Sequence, residues 1–428
     1  RMPSLALPTT DLDLLDNIQQ RILWLSTYMI HYANHVRPNQ DSIKIGGHQA
    51  SCASSVSILA AYYFAAAGPD DLISIKPHAA PVYHAIQYLL GNLPAEKLRQ
   101  LREFGGLQAY PSRLKDPDSF HFSTGSVGFG AVMPHFMSLV REYVADHFGY
   151  PRQHRFFALM GDAELDEGNV WEALGEDNLQ RLGRVTWIVD LNRQSLDRVI
   201  PSGRAQKIQA SLRSFGFHLI EAKYGSRLES IFRRPGGERL RDRIDRMSND
   251  EYQSLLRMHS PDRIFEQLCT TPEGRDETLA SLLADETDIH GLIADLGGHD
   301  LAKLLEAFRE AETITDRPVA ILAYTVKGWG LPLAGDPTNH SRLLTDQQIA
   351  ELREQLGIAP GAEFDAFPPE SPEGRVCLDV RERLGLDQPA RRRQSVPARV
   401  PETLATQYKG EISTQQAFGG VLSELSRI

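Results

Sequence analysis

The chain has 428 residues, which at about 150 residues per domain corresponds to two or three domains. Apolar residues make up 41 %, enough for a large core, and the net charge of −10 offers no basic excess to neutralise phosphates, which argues against a nucleic-acid partner. The three cysteines, Cys52, Cys269 and Cys377, lie far apart, which excludes a disulfide framework and predicts a reducing, cytoplasmic location. No stretch approaches the ~18 apolar residues of a membrane span, so we expect no membrane partner.

The N-terminal part of the chain predicts helices. Residues 1–40 predict a polar lead and then a helix around residues 12–34, because apolar positions recur there at three- and four-residue spacing. Residues 51–68 are rich in small side chains and predict a second helix, which we expect to be buried.

Short apolar runs farther along the chain predict five strands, which cover residues 71–75, 155–162, 185–192, 217–222 and 319–328. The middle runs are almost continuously apolar, which suits strands buried on both faces. Predicted helices alternate with them, as is typical of a parallel sheet with helices on both sides. The predicted fold class is therefore α/β with a parallel sheet.

The remaining segments predict an insertion and linkers. Residues 226–300 are charged and predict a helical insertion within an α/β domain that spans residues 41–345. Residues 346–410 predict a helix and a Pro-rich linker. Residues 411–428 begin a new amphipathic helix, which we expect to open a second domain that is cut short.

Two polar residues lie where neighbouring predicted strands end. Asp162 closes one buried run, and Asn192 closes the next after about one strand–helix–strand unit. Because parallel strands present their carboxyl ends at one edge of the sheet, we expect both side chains to converge there. Carboxylate and amide oxygens suit Mg²⁺, which completes its shell with water and phosphate oxygens, and the small Gly161 and Ala163 leave room for a phosphate. In the alternative interpretation, Asp162 caps a helix and Asn192 occupies an ordinary turn.

The same stretch carries a resemblance to a known family. The residues "GDAELDEGN" are followed by an Asn that closes a predicted strand in "VTWIVDLNRQSLD". This pattern is similar to the thiamine-diphosphate motif of the transketolase superfamily. It resembles in particular the motif of the homodimeric first component of pyruvate dehydrogenase, a 2-oxo acid dehydrogenase. The segments "GGHQASCASSVSIL", "DLISIKPHAAPVYHAIQYLLG", "GGLQAYPSR", "STGSVGFG" and "GGHDLAKLLEAF" also resemble that family, so the similarity extends over residues 20–345. The sequence departs from the motif at Ala163, where the family has Gly.

The resemblance implies a thiamine diphosphate and Mg²⁺ site at these strand ends. Mg²⁺ would be held by Asp162, Asn192 and the main-chain oxygen of Gln194. The cofactor contacts that it implies come from Tyr110, Ser126, Val127, Gly128, Gly161, Ala163, Glu164 and Asn192. Among these, Ala163 and Glu164 would act through backbone amides, and Val127 would lie against the thiazolium ring.

The resemblance further implies four catalytic residues, namely His48, His78, Glu167 and His340. Histidine suits proton transfer because its pKa lies near neutrality, while the cofactor supplies the carbon chemistry. Glu167 would lie near the active site, in the charge path that couples paired sites, and His340 would recognise the substrate. For each histidine, the alternative is a surface or hydrogen-bonded structural role.

The implied reaction is decarboxylation of a pyruvate-like 2-oxo acid, with acyl transfer to a lipoyl group or another acceptor. The alternatives are transketolase-type ketol transfer between sugar phosphates and a non-catalytic cofactor-binding subunit, at which the change to Ala163 hints. In this superfamily a second domain holds the aminopyrimidine of the cofactor, and we find no segment for it in this sequence. We therefore expect a second half or partner chain that carries the pyrimidine-binding domain, in a homodimer or heterotetramer, and no turnover by this chain alone.

Overall fold

A computed structural model describes residues 11–38, 44–117, 120–151, 154–272, 274–387, 403–404, 407–408 and 410–427. The chain divides into two compact units, Arg1–Asp387 and Gln388–Ile428. None of the helices in these described ranges combines the length and the apolar character that crossing a bilayer requires.

A five-stranded parallel sheet forms the centre of the first unit. Its strands are β1 (Leu72–Ser74), β2 (Phe156–Gly161), β3 (Val185–Leu191), β6 (His218–Ala222) and β9 (Val319–Tyr324), in the spatial order β1-β2-β3-β9-β6. Two short antiparallel hairpins, β4 (Gln194–Ser195) with β5 (Arg198–Val199) and β7 (Thr270–Thr271) with β8 (Gly274–Arg275), lie outside it. All five strands of the sheet coincide with apolar runs of the sequence, which confirms the predicted α/β class.

Side chains alternate between the two faces of the sheet, as the two-residue period of a strand requires. In β2, Phe157 and Leu159 join one buried cluster, whereas Phe156, Ala158 and Met160 join the other. Because each face packs against helices, the strands are apolar at nearly every position. The core therefore forms one layer on each side of the sheet.

The helices surround the sheet and form the insertion. They are α1 (Leu12–His31), α2 (Gln49–Ala53), α3 (Val56–Ala61), α4 (Ala80–Leu89), α5 (Ala95–Leu98), α6 (Phe129–Phe148), α7 (Gly168–Leu174), α8 (Arg204–Ser214), α9 (Ser226–Phe232), α10 (Gly237–Arg246), α11 (Asn249–Leu256), α12 (Pro261–Cys269), α13 (Glu277–Leu283), α14 (Ile289–Ile293), α15 (Leu301–Thr313), α16 (Asp346–Gln355) and α17 (Pro372–Arg383). Helices α9–α14 and the β7–β8 hairpin occupy the segment for which the sequence predicts a helical insertion.

Two predicted elements differ from the structure. The helix expected over residues 51–68 is interrupted at Ser54, whose hydroxyl donates a hydrogen bond to Asp190 Oδ2 at 2.7 Å, and it ends in a π-helical turn. The strand expected over residues 319–328 ends at Tyr324, because the next residues turn away from the sheet and the Val326 N–H donates to His299 Nε2 at 2.8 Å.

The second unit contains one described helix, α18 (Thr414–Leu425). It begins with a capping box, in which the Ser413 hydroxyl accepts from the Gln416 N–H and the Gln416 side chain accepts in return from the Ser413 N–H. The Tyr408 hydroxyl donates to the main-chain oxygen of Ala417 at 2.6 Å. Residues 388–402, which belong to the Pro-rich linker that the sequence predicts before this helix, lie outside the described residues.

Candidate functional site

Asp162 directly follows β2 and is buried, with 3 % of its surface exposed. Its Oδ2 accepts the main-chain N–H of Arg193 at 3.0 Å, whereas its Oδ1 is buried and receives no hydrogen bond from the described protein atoms. Burial and the nearby carboxylate of Asp190 raise the pKa of Asp162 to about 7. A buried acceptor without a donor is costly, so this oxygen is suited to a cation.

The segment that follows β3 lies beside Asp162. Residues Gly161 and Asp190 are paired in register, so the ends of β2 and β3 are adjacent. Asn192 is buried, and its Oδ1 accepts the Gln194 N–H at 3.1 Å. Between them, Arg193 has a left-handed backbone with φ of 63° and places its guanidinium over the Tyr252 ring at 4.1 Å. This turn brings the Asn192 amide and the Gln194 main chain to the same edge of the sheet as Asp162.

A buried ion pair lies near the ends of β1 and β3. Asp190, with no exposed surface, accepts hydrogen bonds from Lys76 Nζ, from the Ser54 hydroxyl and from the Thr325 hydroxyl. These donors follow β1, α2 and β9, so one carboxylate ties three elements together. Because the positive charge of Lys76 is matched by Asp190, the pair lies in the interior without an uncompensated charge.

The turn before α6 is held against the end of β2 by Glu164. Its buried carboxylate accepts the Gly161 N–H at 3.1 Å through one oxygen and the Gly128 N–H at 3.2 Å through the other. Gly128 has φ of 86°, and a Cβ there would lie 2.4 Å from Asn169 Oδ1, so only glycine fits. Sequence reasoning assigned Glu164 a backbone contact, and it did not foresee this use of the side chain.

Open space lies next to this turn. A Cβ built on Gly161 would meet nothing within 4 Å, and Ala163 is half-buried. Ser126 is exposed, as is Val127, with 44 % of its surface accessible. The structure therefore leaves room for a phosphate-bearing group beside Asp162, with the Ser126–Gly128 turn along one side.

Three histidines that are distant in sequence lie together in the structure. The ring centroids are 3.9 Å apart for His48 and His78, 4.4 Å for His48 and His340, and 5.2 Å for His78 and His340. The Tyr110 ring lies 5.7 Å from that of His78. Burial lowers the pKa of His48, takes that of His78 to about 2 and takes that of His340 to about 4. All three imidazoles are therefore neutral at pH 7.

A loop after β9 carries His340 and is anchored to the segment that follows β3. The buried Asn339 amide donates to Gln194 Oε1 at 3.0 Å and to the main-chain oxygen of Lys327 at 3.2 Å. The His340 N–H donates to Asp197 Oδ1 at 3.1 Å. The position of His340 thus depends on the same segment that supplies the candidate Mg²⁺ ligands Asn192 and Gln194.

The charge of Lys327 interacts with both the histidines and the carboxylates. It is buried, and its Nζ donates to the main-chain oxygen of Leu196 at 2.9 Å. Burial first, and then the charge of Lys76, lower its pKa to about 8, while the charge of Asp162 acts in the opposite sense. The charge of Lys327 also acts on His48. One amine therefore links the electrostatics of both groups.

Glu167 lies at the rim of this region. It is exposed and precedes α7, and its Cβ would lie 2.9 Å from a Cβ built on Gly128. Glu167 is therefore next to the Ser126–Gly128 turn rather than in the buried group around Asp162.

Sequence reasoning missed Lys76, Asp190, Lys327 and Asn339. Three of them follow a recognisable signal, namely a charged residue within or directly after an apolar strand, as in "ISIK", "IVDLN" and "AYTVK". Charged side chains are almost never fully buried unless they are paired, so such positions indicate a buried partner. Asn339 has no comparable signal, because it lies in a loop and its side-chain partner Gln194 is far away along the chain.

The site fits a divalent cation that carries a phosphate-bearing cofactor. The buried Oδ1 of Asp162 without a donor, the neighbouring amide of Asn192 and the open space at Gly161 are each what such a group requires. The hard oxygen ligands favour Mg²⁺ over softer metals.

The sequence is similar to those of known proteins. The pyruvate dehydrogenase E1 component of Cupriavidus necator is 27 % identical over 444 residues, covering 97 % of this chain and 48 % of that protein, and that of Pseudomonas aeruginosa is 26 % identical over 442 residues, covering 97 % and 49 %. The chain thus spans about half the length of the curated relatives that it matches.

Solved structures have the same fold. The transketolases from Leishmania mexicana and Campylobacter jejuni superimpose with a TM-score of 0.59 each, at 18 % and 17 % identity. Each match covers 87 % of this chain, with 44 % of the Leishmania and 47 % of the Campylobacter protein. At this identity the likeness concerns the fold alone.

Residues 67–234 and 286–370 match the family model described as "Transketolase, thiamine diphosphate binding domain". Because this match includes more than half of its residues, the chain belongs to the family of transketolase thiamine-diphosphate-binding domains.

Proposed function

We propose that this chain supplies the diphosphate- and Mg²⁺-binding half of a thiamine-diphosphate-dependent enzyme. The reaction would be decarboxylation of a pyruvate-like 2-oxo acid, with acyl transfer to a lipoyl group or another acceptor. The observation that carries the proposal is the buried Asp162 carboxylate, whose Oδ1 has no donor among the described residues, beside Asn192 at the end of the next strand. Membership of the family and the pyruvate dehydrogenase relatives support the choice of cofactor and substrate class.

In this proposal Asp162 Oδ1, Asn192 Oδ1 and the main-chain oxygen of Gln194 hold Mg²⁺, which binds the diphosphate. The Glu164 carboxylate keeps the Ser126–Gly128 turn against the end of β2, so that Val127 and the backbone near Ala163 face the cofactor. The bound cofactor would supply the electron sink that the loss of carbon dioxide from the 2-oxo acid requires.

The three histidines and Lys327 would manage the substrate. An ammonium group at Lys327, with the charges of Lys44 and Arg102 acting on the same histidine, favours an anionic substrate such as a 2-oxo acid. His48 Nδ1 donates to the main-chain oxygen of His340 at 2.8 Å, so its Nε2 carries the lone pair. A neutral imidazole of this kind can accept a proton from a substrate hydroxyl. Glu167, exposed at the rim, would face the paired site.

The partner that completes the site would cover helix α6. Phe129, Phe136, Val140 and Tyr143 are each at least 40 % exposed, and their spacing of seven, four and three residues places them on one side of the helix. This stripe starts at the Ser126–Gly128 turn. A domain that binds the stripe therefore reaches the cofactor, which suits a pyrimidine-binding domain of a second copy or of another chain, in a homodimer or heterotetramer. The three cysteines are free and buried, which suits a cytoplasmic protein.

Ketol transfer between sugar phosphates and a non-catalytic role are the competing functions. The cations around His48 suit either anionic substrate. The pyruvate dehydrogenase relatives, however, match 97 % of the chain, whereas the transketolases share only its fold. The hypothesis of a non-catalytic subunit depends on Ala163 alone. Compared with the Gly of the family motif, Ala163 adds one methyl group and leaves the proposed metal ligands in place.

The test combines this chain with a pyrimidine-binding domain from a pyruvate dehydrogenase E1 component, supplied as a separate polypeptide. We expect thiamine diphosphate to bind in the presence of Mg²⁺ and pyruvate to be decarboxylated, as measured by calorimetry and by carbon dioxide release. The Asp162→Ala variant should lose cofactor affinity by at least about tenfold. Turnover of a ketose phosphate but not of pyruvate would favour ketol transfer, and unchanged affinity in Asp162→Ala would contradict the proposed site.

A further inference from the structure

The group formed by His48, His78 and His340 has the composition of a transition-metal site. One ring nitrogen from each residue lies within 4.8 Å of the other two. In a tetrahedral zinc site the metal–nitrogen bonds are about 2.0–2.1 Å long, which puts the nitrogens roughly 3.4 Å apart. Ring rotations that move each nitrogen by about 1 Å would therefore close the group around one ion.

The hydrogen bonds of His48 and His78 leave lone pairs available. Because the main-chain oxygen of His340 can only accept, His48 Nδ1 carries the proton and Nε2 is unprotonated. His78 Nδ1 is buried and has no hydrogen-bond partner among the described atoms. The hydrogen bond on the far nitrogen of His48 is of the kind that orients metal-bound histidines in proteins. Burial also keeps the imidazoles neutral, as metal binding requires.

We propose that His48, His78 and His340 form a second metal site, which binds Zn²⁺ or another imidazole-preferring transition metal and thereby blocks the substrate side of the cofactor site. Three neutral nitrogens favour Zn²⁺ and disfavour Mg²⁺, whereas the oxygens around Asp162 have the opposite preference. The fourth position of the ion would stay open to water or to a carboxylate. The inhibitory part of this inference rests on the proposed function, but metal binding itself does not.

Metal binding is measured on the 428-residue chain without cofactor. Calorimetry with Zn²⁺ in millimolar Mg²⁺ should give one Zn²⁺ per chain, and Co²⁺ used as a probe should show the intense visible absorption of a four-coordinate site. His340→Ala and His48→Ala should each weaken Zn²⁺ binding by at least about tenfold. The half-exposed His340 also permits His340→Asn as a milder variant, if circular dichroism shows that the alanine variant does not fold.

Two controls separate this site from the proposed Mg²⁺ site. His218→Ala removes a histidine that pairs with Glu310 at the edge strand β6, and it should leave Zn²⁺ affinity unchanged. Asp162→Asn should also retain Zn²⁺ binding, although it removes the negative charge of the proposed Mg²⁺ ligand. The inference is overturned if no Zn²⁺ binds, or if Asp162→Asn abolishes binding while the histidine variants keep it. Failure of the proposed function would appear separately, as unchanged thiamine diphosphate affinity in Asp162→Ala.

The functional consequence is tested in the reconstituted enzyme. Micromolar Zn²⁺ should lower pyruvate decarboxylation, and a chelator should restore it. Inhibition that persists in the His340→Ala variant, at the residual rate of that variant, would contradict the assignment of the inhibitory ion to this group.

Discussion

The carboxylates of Asp162 and Asp190 lie at the ends of adjacent strands, and Lys76 pairs with only one of them. Asp190 binds Lys76 directly, whereas Asp162 keeps one oxygen without a donor and has a pKa of about 7. The sheet edge therefore holds one compensated charge and one charge that needs a cation. This asymmetry underlies the pH dependence of the site.

Cation binding should weaken below pH 7. Because Mg²⁺ binds the ionised carboxylate, its affinity should fall about tenfold for each pH unit below the pKa of Asp162. Calorimetric titration of Mg²⁺ with thiamine diphosphate between about pH 5.5 and pH 8 checks this. A flat profile in the wild-type chain would contradict the expectation, and the Asp162→Asn variant is the control that should lack the dependence.

The same carboxylate should make the cation-free fold less stable as pH rises. The pKa of Asp162 in the fold lies above its ordinary value of 3.8, so between about pH 4 and pH 7 the folded state binds the proton and the unfolded state does not. The contribution of Asp162 is therefore favourable below this range and lost above it. The free energy of unfolding in urea should rise less toward low pH in Asp162→Asn than in the wild type. The variant must be compared with the wild type because the lowered pKa of buried histidines such as His78 makes the free energy of unfolding change with pH in the opposite direction.

Breaking the buried ion pair should be costly. Lys76→Met leaves the Asp190 charge without its cation, and removing one partner of a buried pair lowers the free energy of unfolding by about 3–5 kcal/mol. Urea unfolding followed by circular dichroism measures the loss. Lys76→Met with Asp190→Asn removes both charges and should recover a large part of it. A loss below about 1 kcal/mol in the single variant would mean that the pair is not buried in solution.

Gly128→Ala should distort the turn before α6. The left-handed backbone and the close approach of Asn169 leave no space for a methyl group, so we expect a loss of about 1–3 kcal/mol in the free energy of unfolding. Gly125 is the matched control directly before the same turn, because its backbone is not left-handed and a Cβ there meets nothing within 4 Å. Equal effects of Gly125→Ala and Gly128→Ala would contradict the structure of this turn.

A charge in the apolar stripe of α6 should prevent assembly without unfolding the chain. Val140 is 54 % exposed, so Val140→Asp should change the free energy of unfolding by less than about 0.5 kcal/mol. Its association with a second copy or with the pyrimidine-binding domain should fall sharply, as measured by sedimentation. Leu378→Asp, at a similarly exposed apolar residue on α17, is the control and should assemble normally. Normal assembly of Val140→Asp would exclude this face as the interface.

The sequence predicts the sheet better than it predicts the polar contacts at its edge. Apolar runs indicate the strands because strands between two layers of helices are apolar at nearly every position. The sequence also predicts that Asp162 and Asn192 lie close together, because residues at the carboxyl ends of adjacent parallel strands share one edge of the sheet. The pair of Lys76 with Asp190 needs the spatial order of β1, β2 and β3, which neither residue reveals alone. The roles assigned to the individual site residues stay predictions.

The strand order has a consequence for how the protein is made. β9 lies between β3 and β6, although almost a hundred residues separate it from β6 along the chain. While the ribosome is still translating the insertion, β3 and β6 have no neighbour on their facing edges, and unpaired edges invite aggregation. The sheet can close only after Tyr324 has left the exit tunnel. We therefore expect this sheet to close slowly and late, because its central pairing joins strands that are distant in sequence.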